Sequence, residues 1–421
     1  MNIQKSQTAN FDGNKHNNLT EDIFSEFNCR ICNSSISEFN LDFGNQPIVH
    51  HLLNDNLEKY EKYPFRLASC KKCGFIQLTH PIAPSILYDN YFTVSGWKNQ
   101  PHVPRLVEVI ENMSPIRYNS NILDIGCNDG SFLTYLKSKG YTNLAGIEPT
   151  KDAYASAISK GHDVKNRFFT ENFAQTELRA DSYHLITTRH VLEHIIDLDD
   201  FIRGIKYILH KDGTLVIEIP DSMSNVEYLD YSVWEEHVNY FTLNSIGQFL
   251  KKHGFIIVHH ETTLFSGRSL MIFCKKNYIE FSSNVNFINH DRKYINKFFK
   301  SFTKFKSQLH EFLSSINRPI AIYGCGSRSS NFANFNDLGL LLTCFIDDQI
   351  EKQNLIVPGC NLSILPFDPI YQKEYFLLLG VNTENETTVI RRNSLKSDSY
   401  VSILPPSIHL PEFWSSMIIG N

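Results

Sequence analysis

From Asn121 onward the chain alternates between short apolar runs and amphipathic stretches, and this alternation limits the folds open to it. "NILDIG" (121–126), "NLAGIEP" (143–149), "YHLITTRHV" (183–191) and "TLVIEIP" (214–220) read as buried strands. Between them, "SFLTYLKSKG" (131–140) reads as a helix closed by Gly140. "DLDDFIRGIKYILH" (197–210) reads as another, with Leu198, Phe201, Ile202, Ile205, Ile208 and Leu209 on one face. "NSIGQFLKKHG" (244–254) continues the pattern, and "FIIVHHE" and "SLMIFCK" close it as strands. Such alternation predicts an α/β fold with a parallel, doubly wound sheet. The plan restarts at Pro319 with "IAIYGCGSRSSNFANF" (320–335) and "LLTCFID" (341–347), so a second, shorter α/β domain is expected.

The remaining organisation is read around these two units. Residues 1–22 are polar and Asn-rich and are expected to be a disordered tail. Residues 23–95 are dominated by two cysteine pairs, 96–280 hold the first α/β unit, and 318–421 the second. Residues 281–317 read as a helical linker whose Ile295, Phe298, Phe299, Phe302, Phe305, Leu309 and Phe312 recur at helix spacing and pack between domains. Lys plus Arg is 40 against 45 Asp plus Glu, and no basic stripe stands out, which argues against nucleic acid as a partner. The first twenty residues lack a secretory apolar core, and "YFLLLGV" (375–381) is a buried strand at most, so no membrane association is expected. Nine scattered cysteines fit a reducing cytoplasm better than a disulfide framework.

Cys29-x-x-Cys32 and Cys70-x-x-Cys73 are two knuckles of the kind that hold zinc. In each, a tight turn presents both sulfurs, and four thiolates complete a tetrahedral Zn²⁺ shell. With all four positions filled by cysteine, the metal is expected to be structural.

"LDIGCNDGSFL" (123–133) is a strand, a glycine turn and a helix. Gly126 and Gly130 allow a sharp turn and close approach of a ligand. A dinucleotide fingerprint needs another glycine where this chain has Asn128. Asp124 and Asp129 flank the turn and favour a cationic or amino-bearing ligand over a phosphate, and Glu148 ends the next strand, where a carboxylate grips ribose hydroxyls. A ribose, an ammonium and no phosphate describe S-adenosylmethionine. "YSVWEEHVNYF" (231–241) adds Glu235, Glu236 and His237 between Trp234 and Tyr240, the composition of a pocket wall.

The turn, the strand-end acid and "RHVLEHI" (189–195) resemble the class I methyltransferases. Together with the cysteine module, "DFGNQPIVHHLL" (42–53), "VIEIPD" (216–221), "EHVNYF" (236–241) and "YGCGSRSSNFAN" (323–334), they resemble the nucleotide-sugar C-methyltransferases. The resemblance implies a small-molecule substrate, a deoxy-ketosugar on a nucleoside diphosphate, methylated beside its ketone. It implies His237 as the base, Glu236 as the group orienting its ring and His194 as a second polar contact. Tyr91, Trp234, Tyr240, Arg328 and Asn334 fall at expected substrate contacts. Trp234 stands where many relatives have tyrosine, Thr93 replaces another tyrosine, and Arg328 replaces a lysine. O- or N-methylation on the same scaffold is the alternative reaction. A non-catalytic zinc and Rossmann binding module, and a nicotinamide oxidoreductase using Gly324, Gly326 and Asp347, are readings from other classes.

Overall fold

The computed structural model describes residues 27–88, 100–277 and 288–419. Its centre is a seven-stranded sheet. In spatial order the strands are Phe255–Leu264, Arg268–Lys276, Leu209–Pro220, Tyr183–Arg189, Ile122–Ile125, Leu144–Ile147 and Asp163–Lys165. The last five run parallel, and their residues are apolar because helices cover both faces of such a sheet. The doubly wound parallel plan holds over these five strands, and one edge is antiparallel. Arg268–Lys276 runs antiparallel to Leu209–Pro220, and Phe255–Leu264 antiparallel to Arg268–Lys276. Only Phe265, Ser266 and Gly267 join these two strands, whereas a parallel crossover needs a dozen or more residues.

The helix Leu198–Ile208 forms where its apolar stripe predicts, with the Asp197 side chain accepting a bond from the Asp200 amide as N-cap. Leu198, Phe201, Ile202, Ile205 and Ile208 are buried against the central sheet.

The N-terminal module forms a four-stranded antiparallel sheet, in the order Asn239–Tyr240, Ile76–Leu78, Tyr63–Ser69, Leu41–Gln46. Its outer strand comes from the middle of the chain: Asn239 pairs with Gln77 and Tyr240 with Ile76. The C-terminal unit is a six-stranded sheet in which Ile320–Tyr323 lies between Cys344–Ile346 and Phe376–Leu379, parallel to both. The expected strand at 375–381 is therefore Phe376–Leu379, fully buried.

The segment expected to link domains is the 27-residue helix Ile288–Ser314. Phe298, Phe305 and Leu309 are buried in one core with Phe43, Tyr231, Phe332 and Trp414, so a single apolar cluster draws on all three modules. The Tyr231 ring stacks on Phe298 at 4.7 Å, and its hydroxyl donates to the Phe298 carbonyl. Among the described residues no helix is long and apolar enough to cross a membrane.

Candidate active site and zinc centre

The strand Ile122–Ile125 ends in a turn that only particular residues can make. Gly126, Asn128 and Gly130 all take positive φ, at 75°, 50° and 73°. A Cβ on Gly126 would lie 2.3 Å from Val191 Cγ2, so this position accepts glycine alone. Glu148, at the end of the next strand, holds the turn. Its Oε2 accepts from the Asn128 amide at 2.9 Å and its Oε1 from the Thr150 amide at 2.8 Å. Asp124 is buried and accepts from Thr187 Oγ1 at 2.6 Å. Burial pushes its carboxyl up to about 6, against the opposing pull of Arg189 and Thr187. Asp129 faces Lys160 Nζ at 2.6 Å and Ser131 Oγ at 2.9 Å.

A cavity of about 720 Å³ opens from this turn, within the range of small-molecule sites. Asp124, Glu148, His194, Trp234 and His237 line one side, and Gly324, Arg328, Asp347 and Lys352 of the C-terminal unit line the other. His237 is buried, with the Trp234 ring centroid at 3.8 Å and the His194 centroid at 4.9 Å. Burial, with His194, His190 and Arg328 nearby, lowers its pKa well below the usual imidazole value, so the resting ring is neutral. His194 Nδ1 lies 3.0 Å from the Glu236 carbonyl oxygen.

The carboxylate set against the His237 ring is that of Glu193, whose Oε1 is 4.0 Å from His237 Nε2. Glu236, expected to orient that ring, places its Oε1 3.3 Å from His50 Nδ1 instead. Glu235 and Glu236 sit in a turn closed by the His237 amide on the Trp234 carbonyl, and that turn sends side chains 236 and 237 different ways. Glu235 ties the modules together, accepting from the Val49 amide at 2.9 Å and from Asn331 Nδ2 at 2.7 Å.

Other expected contacts divide. Arg328 lines the cavity but its guanidinium is spoken for: NH2 meets Asp230 Oδ2 at 2.7 Å and Nε donates to Ser232 Oγ at 3.0 Å. Tyr240 and Asn334 do not line the main cavity; Asn334 Nδ2 donates to the Pro358 carbonyl. Tyr91 lies outside the described residues. Sequence reasoning passed over Glu193, His190, His50 and Glu218. A buried chain joins several of them: Glu218 meets His102 Nε2 and Arg189 Nε, both at 2.8 Å, and His190 Nε2 at 3.8 Å. Burial works against charge on His190, yet Glu193 and Glu218 raise its pKa to about 9. His190 and Glu193 stand three apart in "RHVLEHI", which was the available signal.

The four expected cysteines converge. Cys29 and Cys73 sulfurs are 3.5 Å apart, as are those of Cys32 and Cys70, and none is in a disulfide. Zinc at about 2.3 Å from each sulfur would set tetrahedral edges of roughly 3.8 Å, so the donor set fits the ion. Each knuckle closes with the same bond, from the amide of Asn33 or Gly74 to the carbonyl of Cys29 or Cys70. Arg30, inside the first knuckle, donates to the carbonyls of Val238 and Leu78 at 2.9 and 2.8 Å. The metal centre thereby braces the strand that follows His237.

Three family descriptions match in chain order: "Putative zinc binding domain" over residues 29–88, "Methyltransferase domain" over 97–260 and "C-methyltransferase C-terminal domain" over 282–405. The chain is similar to C-methyltransferase NovU of Streptomyces niveus, 22% identical over 84% of this chain and 89% of that one. A ubiquinone biosynthesis O-methyltransferase of Actinobacillus pleuropneumoniae serotype 7 is 30% identical over 27% of this chain and half of its own length. Among solved structures, magnesium protoporphyrin IX methyltransferase from Synechocystis PCC 6803 with bound SAM is 16% identical. That likeness covers 42% of this chain and 78% of that one, with a TM-score of 0.32. The sheet order, the glycine turn and the methyltransferase-domain match define a class I S-adenosylmethionine-dependent methyltransferase. More narrowly, the chain belongs to the three-domain, zinc-containing C-methyltransferase family.

Proposed function

We propose that the protein methylates a carbon beside the ketone of a nucleotide-activated deoxysugar, with His237 as the base. The observation that carries this reading is a buried, neutral imidazole in a cavity that runs from the acidic turn to the C-terminal unit. A neutral imidazole can take a proton, and because burial opposes the charge it then carries, a carboxylate beside the ring is needed to steady it. His237 removes the proton between ketone and acceptor carbon, and the resulting enolate carbon takes the methyl group. Bound S-adenosylmethionine would supply that methyl group, the sulfur keeping the bonding pair, and would leave as S-adenosylhomocysteine. The cofactor supplies the electrophile; Asp124 and Glu148 bind its amino and ribose groups, and Trp234 closes against the His237 ring.

Support for the nucleotide comes from the far wall. The helix Ser327–Phe335 begins at the cavity wall beside Gly324, where its N-terminal amides suit a diphosphate; Lys352 and Arg392 stand at the same wall, facing Asp347 and Asp348. The relative named a C-methyltransferase covers most of this chain, which favours carbon over oxygen as the acceptor. His237→Ala should leave cofactor affinity nearly intact and cut methyl transfer roughly 10²–10⁴-fold. Mass spectrometry of nucleotide ketosugars with methyl-labelled cofactor reads transfer, and NMR in deuterated water reads exchange of the α-proton. A methyl group found on oxygen in the product, or no α-proton exchange when the demethylated cofactor product replaces S-adenosylmethionine, would refute the carbon reading.

A further inference from the structure

We infer that Glu193 is the positioning residue for His237: its carboxylate receives Nε2–H of the imidazole and steadies the cation formed on proton uptake. The inference rests on the reading of His237 as the base. Glu193 is 1% exposed, yet neither of its side-chain oxygens makes a well-aligned hydrogen bond among the described residues. His190, whose pKa Glu193 helps to raise, already sets one positive charge against this buried carboxylate, and a charge formed on His237 would be a second within its reach. Glu193 Oε1 lies between two imidazoles, 3.3 Å from His190 Nδ1 and 4.0 Å from His237 Nε2. A small ring rotation brings the second contact to hydrogen-bond length once His237 is protonated.

Backbone ties hold this juxtaposition. The Val238 amide donates to the Glu193 carbonyl at 2.8 Å, and Asn239 Nδ2 donates to the carbonyls of Leu192 and Ile195 at 3.0 and 2.6 Å. The 3-10 turn Leu192–His194 and the segment carrying His237 are therefore one unit, and residue 193 cannot shift without residue 238. Behind Glu193, His190 meets Glu218, which in turn meets Arg189 and His102. This arrangement fixes the base: with Nε2 turned to Glu193, Nδ1 is the nitrogen left for the substrate. The titratable and charged groups around His237 are His190, Glu193 and His194 on the preceding turn, Glu235, Glu236 and Tyr240 on its own segment, Arg328 of the C-terminal unit, and His50 and Tyr88 of the N-terminal module.

Glu193→Gln keeps the shape and removes the charge. Compared with wild type, α-proton exchange should fall by at least roughly tenfold, with cofactor affinity unchanged. The acid limb of the exchange profile should move to lower pH, because an imidazole without its carboxylate is a weaker base. His237→Ala, run in parallel, separates the two ideas. If His237→Ala loses exchange while Glu193→Gln keeps the wild-type rate and acid limb, the role of Glu193 is refuted and the base stands. If His237→Ala keeps exchange, the base itself is refuted, and this inference with it. Should the glutamine variant fail to fold, nitrogen-15 NMR of histidine in the wild-type protein decides: Nε2–H at His237 supports the inference and Nδ1–H overturns it. Metal analysis adds a further arm. Glu193, His194 and His237 place ligand atoms within 4.8 Å of one another. One zinc per chain is expected; a second divalent ion that exchange requires, and that Glu193→Gln loses, would make the carboxylate a ligand and overturn the positioning role.

Discussion

The two glycine turns that face each other across the cavity share one device and differ in charge. In the central unit Glu148 accepts from the amide of Asn128 in the turn and from Thr150 two residues further on. In the C-terminal unit Asp347 does the same with the amides of Cys325 and Gln349, at 2.7 and 2.9 Å. Each acid thus locks its turn. Two residues before the first glycine, however, the central strand has Asp124 and the C-terminal strand has Ile322, both buried. Near the second turn stands Lys352, whose Nζ donates to the Cys325 carbonyl and lies 3.8 Å from Asp347. One backbone plan thus carries an additional buried acid on one side and a lysine on the other.

The largest expected effect tests the buried charge that the second unit lacks. Asp124→Asn should stabilise the fold by up to about 3 kcal/mol, from the raised carboxyl pKa. The sign follows from the direction of the shift. Ionising Asp124 costs more in the fold than in the unfolded chain, so the cost is full above pH 6 and fades as pH falls toward 4. Thermal unfolding of both proteins across that window should show the gain at pH 7 and none at pH 4; a gain independent of pH would break the contrast with Ile322. Glu148→Ala should weaken S-adenosylmethionine by about 1–3 kcal/mol, through lost bonds to ribose and a loosened turn. Calorimetry reads this, and an unchanged affinity would remove Glu148 from the cofactor site. The smallest effect is expected from Asp347→Asn: substrate KM should rise by a factor corresponding to about 1 kcal/mol, with cofactor affinity untouched. A loss of cofactor affinity instead would erase the division of labour between the turns.

What the sequence made legible was chemistry held in local spacing. The knuckles, the Gly126–Gly130 turn and the acid at Glu148 each lie within a few residues of one another or at a strand end, so periodicity and turn chemistry reveal them. The pairing of His237 was not legible in this way. The family resemblance implied Glu236, the adjacent residue, as the group orienting the ring. The geometry instead brings in Glu193 from a turn 44 residues earlier, because Asn239 clamps that turn from across the fold. The antiparallel edge at Phe255–Lys276 had a local signal in its three-residue connection, which the helix–strand rhythm masked. Arg328 shows the limit of motif matching: its place in the cavity wall is as expected, while its charge is engaged by Asp230, a partner 98 residues away.

The strand Asn239–Tyr240, which completes the N-terminal sheet, also sets the order of events during synthesis. Its partners at Ile76–Leu78 emerge about 160 residues earlier. At roughly 5–20 residues per second, the ribosome leaves that edge without its neighbour for about 8–30 s. An unpaired strand edge invites pairing with another chain. Early capture of zinc by the two knuckles would hold the short strand beside Cys73 in register through that interval, so the ion serves the nascent chain before there is a substrate pocket to brace.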